Sequence, residues 1–315
     1  MARRRAIPAV VGPTASGKSD LGIALALALD GEVINLDSVQ VYRDIEIATA
    51  KVPLEERRGV PHHLIDVVAP TVNFTAGDWA RAASEIIRDV ESRERTAILV
   101  GGTGFYLRAL VEGLFDAPPV APELRERLTR RLHRHGPERL HRLLRRLDPE
   151  SAARLAPRDY SRVVRALELR IATGLPASTL HARLPRRSPA PDIAGRVRVV
   201  ALAPPRDALY ERINLRADQM FEAGLVDEVR RLLDAGLPPD AKALGAHGYR
   251  RVVEYLLGHR TLESAVEQTK LDTRHYAKRQ MTWWRGTPGV HWIAEFGTSD
   301  RALQEALLYL HESME

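Results

Sequence analysis

Short apolar runs alternate with helical stretches between Ala6 and Gly113. Four of these runs are rich in Val, Ile and Leu and predict short buried strands, and helical periodicity separates several of them, as in Ala76–Arg93. This alternation is typical of a doubly wound α/β fold, in which helices cover a parallel sheet. The predicted strands are Ala6–Val11, Glu32–Leu36, Leu64–Val68 and Thr96–Val100.

The pattern changes after Gly113. Prolines at 118, 119 and 122 predict a boundary, and leucines then recur at helical spacing from Leu124 to Leu147. A strand pattern returns at Arg196–Ala203. We therefore predict an α/β core of residues 1–117 and 195–315 and an all-helical insertion of residues 118–194. The later core elements are predicted as the helices Asp207–Ala235, Tyr249–Leu257, Leu262–Arg285 and Asp300–His311 and the strand Val290–Ile293.

The loop after the first predicted strand reads GPTASGKS (12–19) and fits the pattern G-x-x-x-x-G-K-[ST]. In this motif, backbone N–H groups surround an anion, the lysine reaches the distal phosphate and the hydroxyl ligates Mg²⁺. A predicted helix, Ser19–Leu29, follows as the motif requires. The sequence thus predicts a P-loop NTPase-like fold that binds a polyphosphate or diphosphate. The predicted binding residues are Gly12, Thr14, Ala15, Ser16, Gly17, Lys18 and Ser19, and Ser19 is the predicted Mg²⁺ ligand.

Two further strand ends are predicted to lie beside this loop, because the carboxyl ends of parallel strands meet at the ligand crevice. Asp37 follows the second strand, where it could hold Mg²⁺, accept a proton or cap a turn. The fourth strand ends in Gly101-Gly102-Thr103 and not in the metal-binding acid typical of an ATPase. These glycines allow either close approach to a ligand or a tight turn without one, with the Thr103 hydroxyl exposed at the helix start.

Charge is distributed unevenly along the chain. Residues 122–187 contain 17 arginines and seven Asp or Glu, whereas the rest contains 30 Lys or Arg and 34 Asp or Glu. The insertion is therefore predicted to bind a polyanion too large for the loop, although arginine-rich helices can also be ordinary solvated faces. Only five of the 47 basic residues are lysine, so a lysine such as Lys18 suggests a site that needs a compact ammonium.

Composition excludes several classes of protein. The chain has no cysteine, which rules out disulfides and thiolate chemistry and suits a cytoplasmic enzyme. It has no apolar run of about 18 residues, so no membrane span is predicted, and a signal peptide is not expected because cleavage would remove the first strand. The adjacent His62 and His63 lack acidic partners at ligand spacing, so we predict no zinc site.

A series of segments runs in one order through nearly the whole chain: GPTASGKS (12–19), DSVQVYR (37–43), ATAKVP (48–53), HHLIDV (62–67), GGTGFYLRAL (101–110), RALE (165–168), ERINLRADQMFEAGLVDEV (211–229), GYR (248–250) and TRHYAKRQMTWWR (273–285). Together they resemble the tRNA dimethylallyltransferase, or tRNA isopentenyltransferase, family. The chain departs from the family pattern at Ser19, Ala48, Val52, Ala156 and His247.

The resemblance implies transfer of a dimethylallyl group from dimethylallyl diphosphate to N6 of the adenine beside the anticodon, position 37 of tRNAs that read codons starting with U. A monomer that uses Mg²⁺ and binds the anticodon stem-loop is expected. The implied catalytic residues are Asp37 as general base, Thr103, and Arg216 as the diphosphate clamp. The implied tRNA contacts are Asp37, Ser38, Val39, Gln40, Thr103, Arg125, Ser161, Arg162, Arg165, Gly248, Tyr249, Arg250, Lys278, Arg279, Gln280, Trp283 and Arg285, with at least one of Trp283 and Trp284 expected in the core.

Three other functions remain open from the sequence. An adenylate isopentenyltransferase would share the core but would not need the basic insertion. A P-loop small-molecule kinase would consume ATP and would favour an acid where Gly101 and Gly102 stand. An RNA-binding protein with a vestigial loop would not need Lys18, Ser19 and Asp37.

Overall fold

The computed structural model describes residues 5–115, 118–184 and 186–312, with backbone only at 186 and 187. It divides into two compact units, Met1–Val111 with Pro189–Glu315, and Glu112–Ser188. The predicted first boundary, at 117, lies outside the described residues. At the second boundary, the helix Pro191–Ala194 belongs to the first unit, although the sequence placed it in the insertion.

The first unit contains a six-stranded sheet whose neighbouring strands are all parallel. Its strands are β1 (Ile7–Val11), β2 (Gly31–Asn35), β3 (His62–His63), β4 (Thr96–Val100), β7 (Val197–Leu202) and β8 (Val290–Ile293), while β5 (Leu114–Phe115) and β6 (Arg186–Arg187) belong to the second unit. The spatial order is β3-β2-β4-β1-β7-β8. Because the chain moves from β1 to one side and later to the other, the carboxyl end of β1 lies at a switch point, where such sheets bind ligands.

Every residue of β1, β2 and β4 is buried, which explains their nearly continuous apolar sequences. The charged exception is Glu32 on β2, whose carboxylate accepts hydrogen bonds from Arg93 and Arg95 and contacts His63 Nε2 at 2.6 Å. Burial alone would raise the pKa of Glu32, but the bonds to Arg93 and His63 lower it to about 2. His63 is therefore engaged in an ion-pair network, and no group of three or more potential metal-ligating side chains occurs within the described ranges.

Nine helices complete the described part of the first unit, and α2 begins with a capping box in which Thr75 and Asp78 exchange hydrogen bonds. No helix in the described ranges has both the length and the hydropathy needed to cross a bilayer. The helices are α1 (Lys18–Ala28), α2 (Ala76–Ser92), α3 (Gly104–Val111), α9 (Pro191–Ala194), α10 (Arg206–Glu222), α11 (Leu225–Asp234), α12 (His247–Leu256), α13 (Leu262–Arg285) and α14 (Asp300–Glu312).

Two predicted elements were wrong: one is not a strand, and the other is two helices. The predicted strand Leu64–Val68 is not a strand, because Leu64 and Asp66 adopt positive φ angles of 60° and 57° that break an extended chain. The actual strand is β3, and Val68 keeps only an isolated bridge to Tyr42. The predicted helix Asp207–Ala235 is two helices, since Gly224 at φ 92° separates α10 from α11.

The second unit consists mainly of helices that pack their leucines together, as the spacing predicted. Its core includes Leu128, Leu140, Leu144 and Leu167. It is not entirely helical, because β5 and β6 pair as a short antiparallel ribbon. The helices are α4 (Pro122–His135), α5 (Pro137–Leu147), α6 (Pro149–Arg154), α7 (Tyr160–Thr173) and α8 (Ala177–Arg183).

Asp148 is a fully buried carboxylate that ties α6 to α8 in this unit. It accepts hydrogen bonds from the backbone N–H groups of Ser151 and Ser178, both at 3.0 Å, and from both serine hydroxyls at 2.7 Å. Burial opposes ionisation, but these bonds hold the pKa of Asp148 below its usual range.

We expect Asp148→Ala to destabilise the second unit by about 2–4 kcal/mol, because four buried donors lose their acceptor. Since the pKa of Asp148 is lowered on folding, its stabilisation is complete above about pH 3.9 and is lost as pH falls through the lowered value. Hydrogen exchange of second-unit amides would measure both effects. Asp159→Ala is the control, because Asp159 precedes α7 without a capping bond. Equal effects of the two substitutions would contradict this role of Asp148.

Candidate phosphate-binding site

The loop between β1 and α1 has a conformation that its glycines make possible. Gly12 and Gly17 have φ angles of 139° and 85°. A Cβ at Gly12 would lie 2.8 Å from the Leu202 carbonyl oxygen, and one at Gly17 would lie 2.9 Å from the Gly297 nitrogen. These contacts leave no room for a side chain, so the loop packs directly against backbone.

Two residues from distant parts of the chain, Gln280 and Gly297, hold the loop, and Gln280 also bonds the turn after β4. The Thr14 N–H donates to Gln280 Oε1 at 2.8 Å, and Gln280 Nε2 donates to the Gly102 carbonyl at 3.1 Å. The Gly297 N–H donates to the Ser16 carbonyl at 2.9 Å. The loop ends at the N-terminus of α1, where free N–H groups and the helix dipole favour an anion. The loop and the N-terminus of α1 thus form an arrangement that suits an anion, and the predicted role of each residue stays a prediction.

Two half-buried cations lie at this loop. The Lys18 ammonium donates to the Pro13 carbonyl at 2.7 Å, within the loop itself. Burial lowers the pKa of Lys18 to about 8, with Asp37 opposing and Arg216 adding to the effect. Burial also lowers the pKa of Arg216, and Asp37 again opposes. An anion bound here would stabilise the charged form of both side chains.

Asp37 follows β2, and its two carboxylate oxygens differ in their hydrogen bonds. Oδ1 accepts from the N–H groups of Val39 at 2.8 Å and Gln40 at 3.3 Å, so it caps the turn that follows. No described residue donates a hydrogen bond to Oδ2. The capping role and a chemical role are therefore compatible.

The glycines after β4 serve packing within the protein. A Cβ on Gly101 would lie 2.2 Å from the Leu36 carbonyl oxygen, and one on Gly102 would lie 2.0 Å from Gln280 Nε2. The turn is therefore tight, and Gly101 also lines the larger cavity, so its backbone borders the space beside the loop. The predicted exposure of the Thr103 hydroxyl was wrong, because that oxygen is buried beside Tyr276.

Two adjoining cavities meet at Asp37. The larger, of about 790 Å³, contains the phosphate loop with Lys18 and Ser19. The smaller, of about 290 Å³, has a mostly apolar wall that includes Val39, Ile213 and Met220. The residues that line both are Thr14, Ala15, Asp37, Thr49, Arg216 and Tyr276.

Ser19 and Asp37 are among the oxygen donors of the larger cavity that suit Mg²⁺, and Asp20 and Glu56 also line it. This ion binds proteins through one or two such groups, and substrate phosphates and water complete its octahedron. The donor set therefore fits an ion that arrives with a diphosphate.

His247 lines the smaller cavity, and its ring lies edge-on to Tyr276 with centroids 5.3 Å apart. Burial lowers the pKa of His247 to about 4, so the imidazole is neutral at pH 7. This explains how a histidine occupies a position where the family usually has an aliphatic residue. The neutral imidazole of His247 adds no charge to the largely apolar wall of the smaller cavity.

Several predicted tRNA contacts are exposed, while others are buried in the protein. Tyr249 is completely buried, and its hydroxyl donates to Glu228. Gln280 is 5 % exposed and bonds the phosphate loop, and Gly248 is buried. Gly248 nevertheless lines the smaller cavity and Gln280 the larger one, whereas Tyr249 lines neither, so Tyr249 is the one of the three without access to either cavity. The contacts of Gly248 and Gln280 with RNA stay predictions. The exposed residues are Ser161, Arg162, Arg250, Lys278, Arg279 and Arg285; Ser38, Val39, Gln40 and Trp283 are half-buried, and Trp284 is in the core as expected of one tryptophan.

Arg125 and Arg165 have a structural partner within the second unit. Both donate to Glu168, which is 1 % exposed, with Arg125 Nε at 2.6 Å from Oε1 and Arg165 at 3.2 Å from Oε2. These bonds lower the pKa of Glu168 against the opposing effect of burial. Part of the basic charge of the insertion therefore neutralises a buried acid.

Sequence reasoning missed Tyr276 and Arg212, which both line the larger cavity. Tyr276 lies within the family segment 273–285, but no pattern in that segment assigns it to a site. Arg212 precedes Arg216 by four residues, a helical spacing that could have indicated a shared face. No sequence pattern around Gly297 indicates that its N–H supports the phosphate loop.

The parallel sheet, the glycine-bounded loop and the cavity beside it define an α/β protein of the P-loop type. The sequence model of the IPP transferase family matches residues 40–287. This chain therefore belongs to the IPP transferase family.

Several proteins of known name match this chain over nearly its full length. The tRNA dimethylallyltransferase of Solibacter usitatus (strain Ellin6076) is 46 % identical over 95 % of this chain and 96 % of its own. That of Koribacter versatilis (strain Ellin345) is 45 % identical over 96 % and 97 %. The crystal structure of the tRNA isopentenylpyrophosphate transferase from Bacillus halodurans has a TM-score of 0.72 at 37 % identity, covering 99 % of this chain and 97 % of that one. A eukaryotic dimethylallyltransferase acting on tRNA has a TM-score of 0.73 at 28 % identity, covering 95 % and 75 %.

The lowered pKa of Lys18 predicts a pH dependence for anion binding. A lysine with a pKa of about 8 loses its proton as pH rises through 8, so affinity for inorganic diphosphate should fall about tenfold between pH 7 and pH 9. Titration calorimetry across this range would measure the fall. Lys18→Met supplies the baseline, because its profile contains only the ionisation of diphosphate and of the remaining groups. Parallel profiles for the two proteins would contradict the prediction.

Proposed function

We propose that this protein transfers a dimethylallyl group from dimethylallyl diphosphate to N6 of the adenine at position 37 in tRNAs that read codons starting with U. The observation that carries this proposal is the position of Asp37 between two cavities, one cationic with a phosphate loop and one largely apolar. Family membership supplies the reaction, and this geometry provides separate places for a charged leaving group and for the groups that react.

The phosphate loop, Lys18 and Arg216 would bind the diphosphate. As the bond between the allylic carbon and its oxygen breaks, negative charge grows on the departing diphosphate, and these half-buried cations stabilise it. No nucleoside triphosphate is consumed, which agrees with glycines in place of the acid after β4. Mg²⁺ held by Ser19 and the diphosphate would supply further charge neutralisation.

Asp37 would act as the general base for the acceptor. The exocyclic amine of adenine is a weak nucleophile, because its lone pair is delocalised into the ring. As N6 attacks the allylic carbon, it must lose a proton, and the free Oδ2 of Asp37 accepts it. The target base would have to leave its stack to reach this site, at a cost of a few kcal/mol.

Because Oδ1 of Asp37 also caps a turn, the variant that tests the general base must keep an acceptor at this position. Asp37→Asn retains an Oδ1 that can accept from Val39 and Gln40 but removes the basic oxygen. We expect single-turnover transfer to fall by about 10²–10⁴-fold, while tRNA affinity stays within a few-fold of the wild type. Labelled dimethylallyl diphosphate and unmodified tRNA, with adenosine monophosphate as competing acceptor, provide the assay. Retention of most of the rate would refute the assignment, and label entering only the mononucleotide would refute tRNA as acceptor.

We further propose that the second unit binds the anticodon stem-loop through its exposed arginines. Arg162 is the sharper test residue, because it is 72 % exposed and contacts only Asp159, at 3.1 Å, among the described residues. Charge reversal at Arg125 would instead place a second acid against buried Glu168 and destabilise the unit.

We expect Arg162→Gln to weaken stem-loop binding and to reduce its salt slope by about one. Arg301→Gln is a matched control, because Arg301 is 78 % exposed on α14 and belongs to no predicted RNA contact. Filter binding at several salt concentrations would measure both. Identical slopes for the two variants would exclude Arg162 from the RNA interface. A cytoplasmic location and a monomeric state stay predictions.

A further inference from the structure

A second arginine, Arg212, lies on the α10 wall of the larger cavity, and the mechanism above gives it no role. Arg212 and Arg216 both line this cavity together with Lys18. Residues four apart on a helix share one face, with about 5–6 Å between their Cβ atoms. Arg216 also lines the smaller cavity, whereas Arg212 lines only the larger one. Arg212 is thus farther from the point where the two cavities meet.

The side chain of Arg212 is oriented by an aromatic ring. Its guanidinium carbon lies 4.5 Å from the centroid of Phe296, a cation–π contact. Phe296 packs in an apolar cluster with Leu209, Ile213 and Ala15 of the phosphate loop. The next residue in the chain, Gly297, donates to the loop carbonyl of Ser16. One short segment therefore supports the phosphate loop and positions Arg212 beside it.

Among the residues that the structure describes, the two arginines on this wall have no direct ion-pair partner, although, against the effect of burial, the charge of Asp37 raises the pKa of Arg216 from a distance. No carboxylate in the described ranges lies within ion-pair distance of Arg212 or Arg216. By contrast Lys51, which also lines the cavity, bonds the Tyr42 carbonyl and pairs with Glu46 and Asp66. Arg212 also contributes to lowering the pKa of Arg216, as a like charge does. Two neighbouring cations of this kind fit an anion with two charged groups.

We propose that Arg212 is a second ligand of the diphosphate, binding the terminal phosphate together with Lys18 while Arg216 holds the phosphate attached to the allylic carbon. This inference rests on the proposed function, because it requires a diphosphate in the loop. Phe296 is a positioning residue that acts through Arg212. The added cation matters most after the carbon–oxygen bond breaks, since the released diphosphate then carries an additional negative charge.

Titration calorimetry with inorganic diphosphate and with inorganic monophosphate tests this assignment. We expect Arg212→Gln to weaken diphosphate binding about 10- to 100-fold, the usual effect of removing one charged hydrogen-bonding partner. Monophosphate binding should change by less than about threefold, because a single phosphate can occupy the position held by Arg216, where Arg212 is not a ligand. Arg212→Lys should restore part of the diphosphate affinity by keeping the charge, and Phe296→Leu should lose a few-fold by releasing the guanidinium.

Arg206→Gln is the matched control. Arg206 lies on the same helix and stacks on Tyr210 at 5.0 Å, but it lines neither cavity. Affinity of Arg212→Gln for diphosphate within twofold of the wild type would overturn the assignment, as would an equal loss in Arg206→Gln. If the wild type itself failed to bind diphosphate, the proposed function would fall and the role of Arg212 with it. Normal transfer by a wild type that binds diphosphate, with unchanged binding by Arg212→Gln, would overturn the role of Arg212 alone.

Discussion

The packing of the phosphate loop against backbone is the constraint on which the rest of the site depends. Gly12 and Gly17 leave no space for a Cβ, because the backbone at Leu202 and Gly297 approaches to within van der Waals distance. The carboxyl end of β7, the segment after β8 and Gln280 of α13 all meet the loop. A loop conformation so dependent on distant elements needs the rest of the first unit, which agrees with family segments that continue as far as α13.

The same packing buries positive charge. Lys18 and Arg216 are desolvated side by side, and both have lowered pKa values because burial disfavours their charged forms. Asp37 compensates only in part, since one of its oxygens already caps a turn. A bound diphosphate would offset the desolvation cost of these two charges. That offset would contribute to the free energy of diphosphate binding. Because the charge of the leaving group rises as the bond breaks, the relief is greatest late in the reaction.

Local patterns in the sequence predicted much of the fold and less of the site. Strands such as Thr96–Val100 and the helix Leu262–Arg285 were predicted to the residue, since apolar periodicity and turn residues determine them. The strand at Leu64–Val68 failed because two residues adopt positive φ, which composition does not reveal. The phosphate loop is a contiguous motif and was recognisable. The loop contacts of Gln280 and Gly297 were not, because they join residues more than 250 positions apart.

Counting arginines overstates the charge that the second unit offers to RNA. Buried Glu168 engages Arg125 and Arg165, and exposed arginines such as Arg130 and Arg154 lie one helical turn from Glu126 and Glu150. The pairs inside the unit are structural, because an unpaired buried carboxylate is costly, whereas the exposed pairs are weak and can exchange a carboxylate for a phosphate. The RALE segment is thus explained by its own packing: its first and last residues bond each other. If the second unit binds RNA as proposed, its positive potential comes mainly from arginines that do not pair with a buried acid, and Arg162, whose partner Asp159 is half-buried, is of this kind.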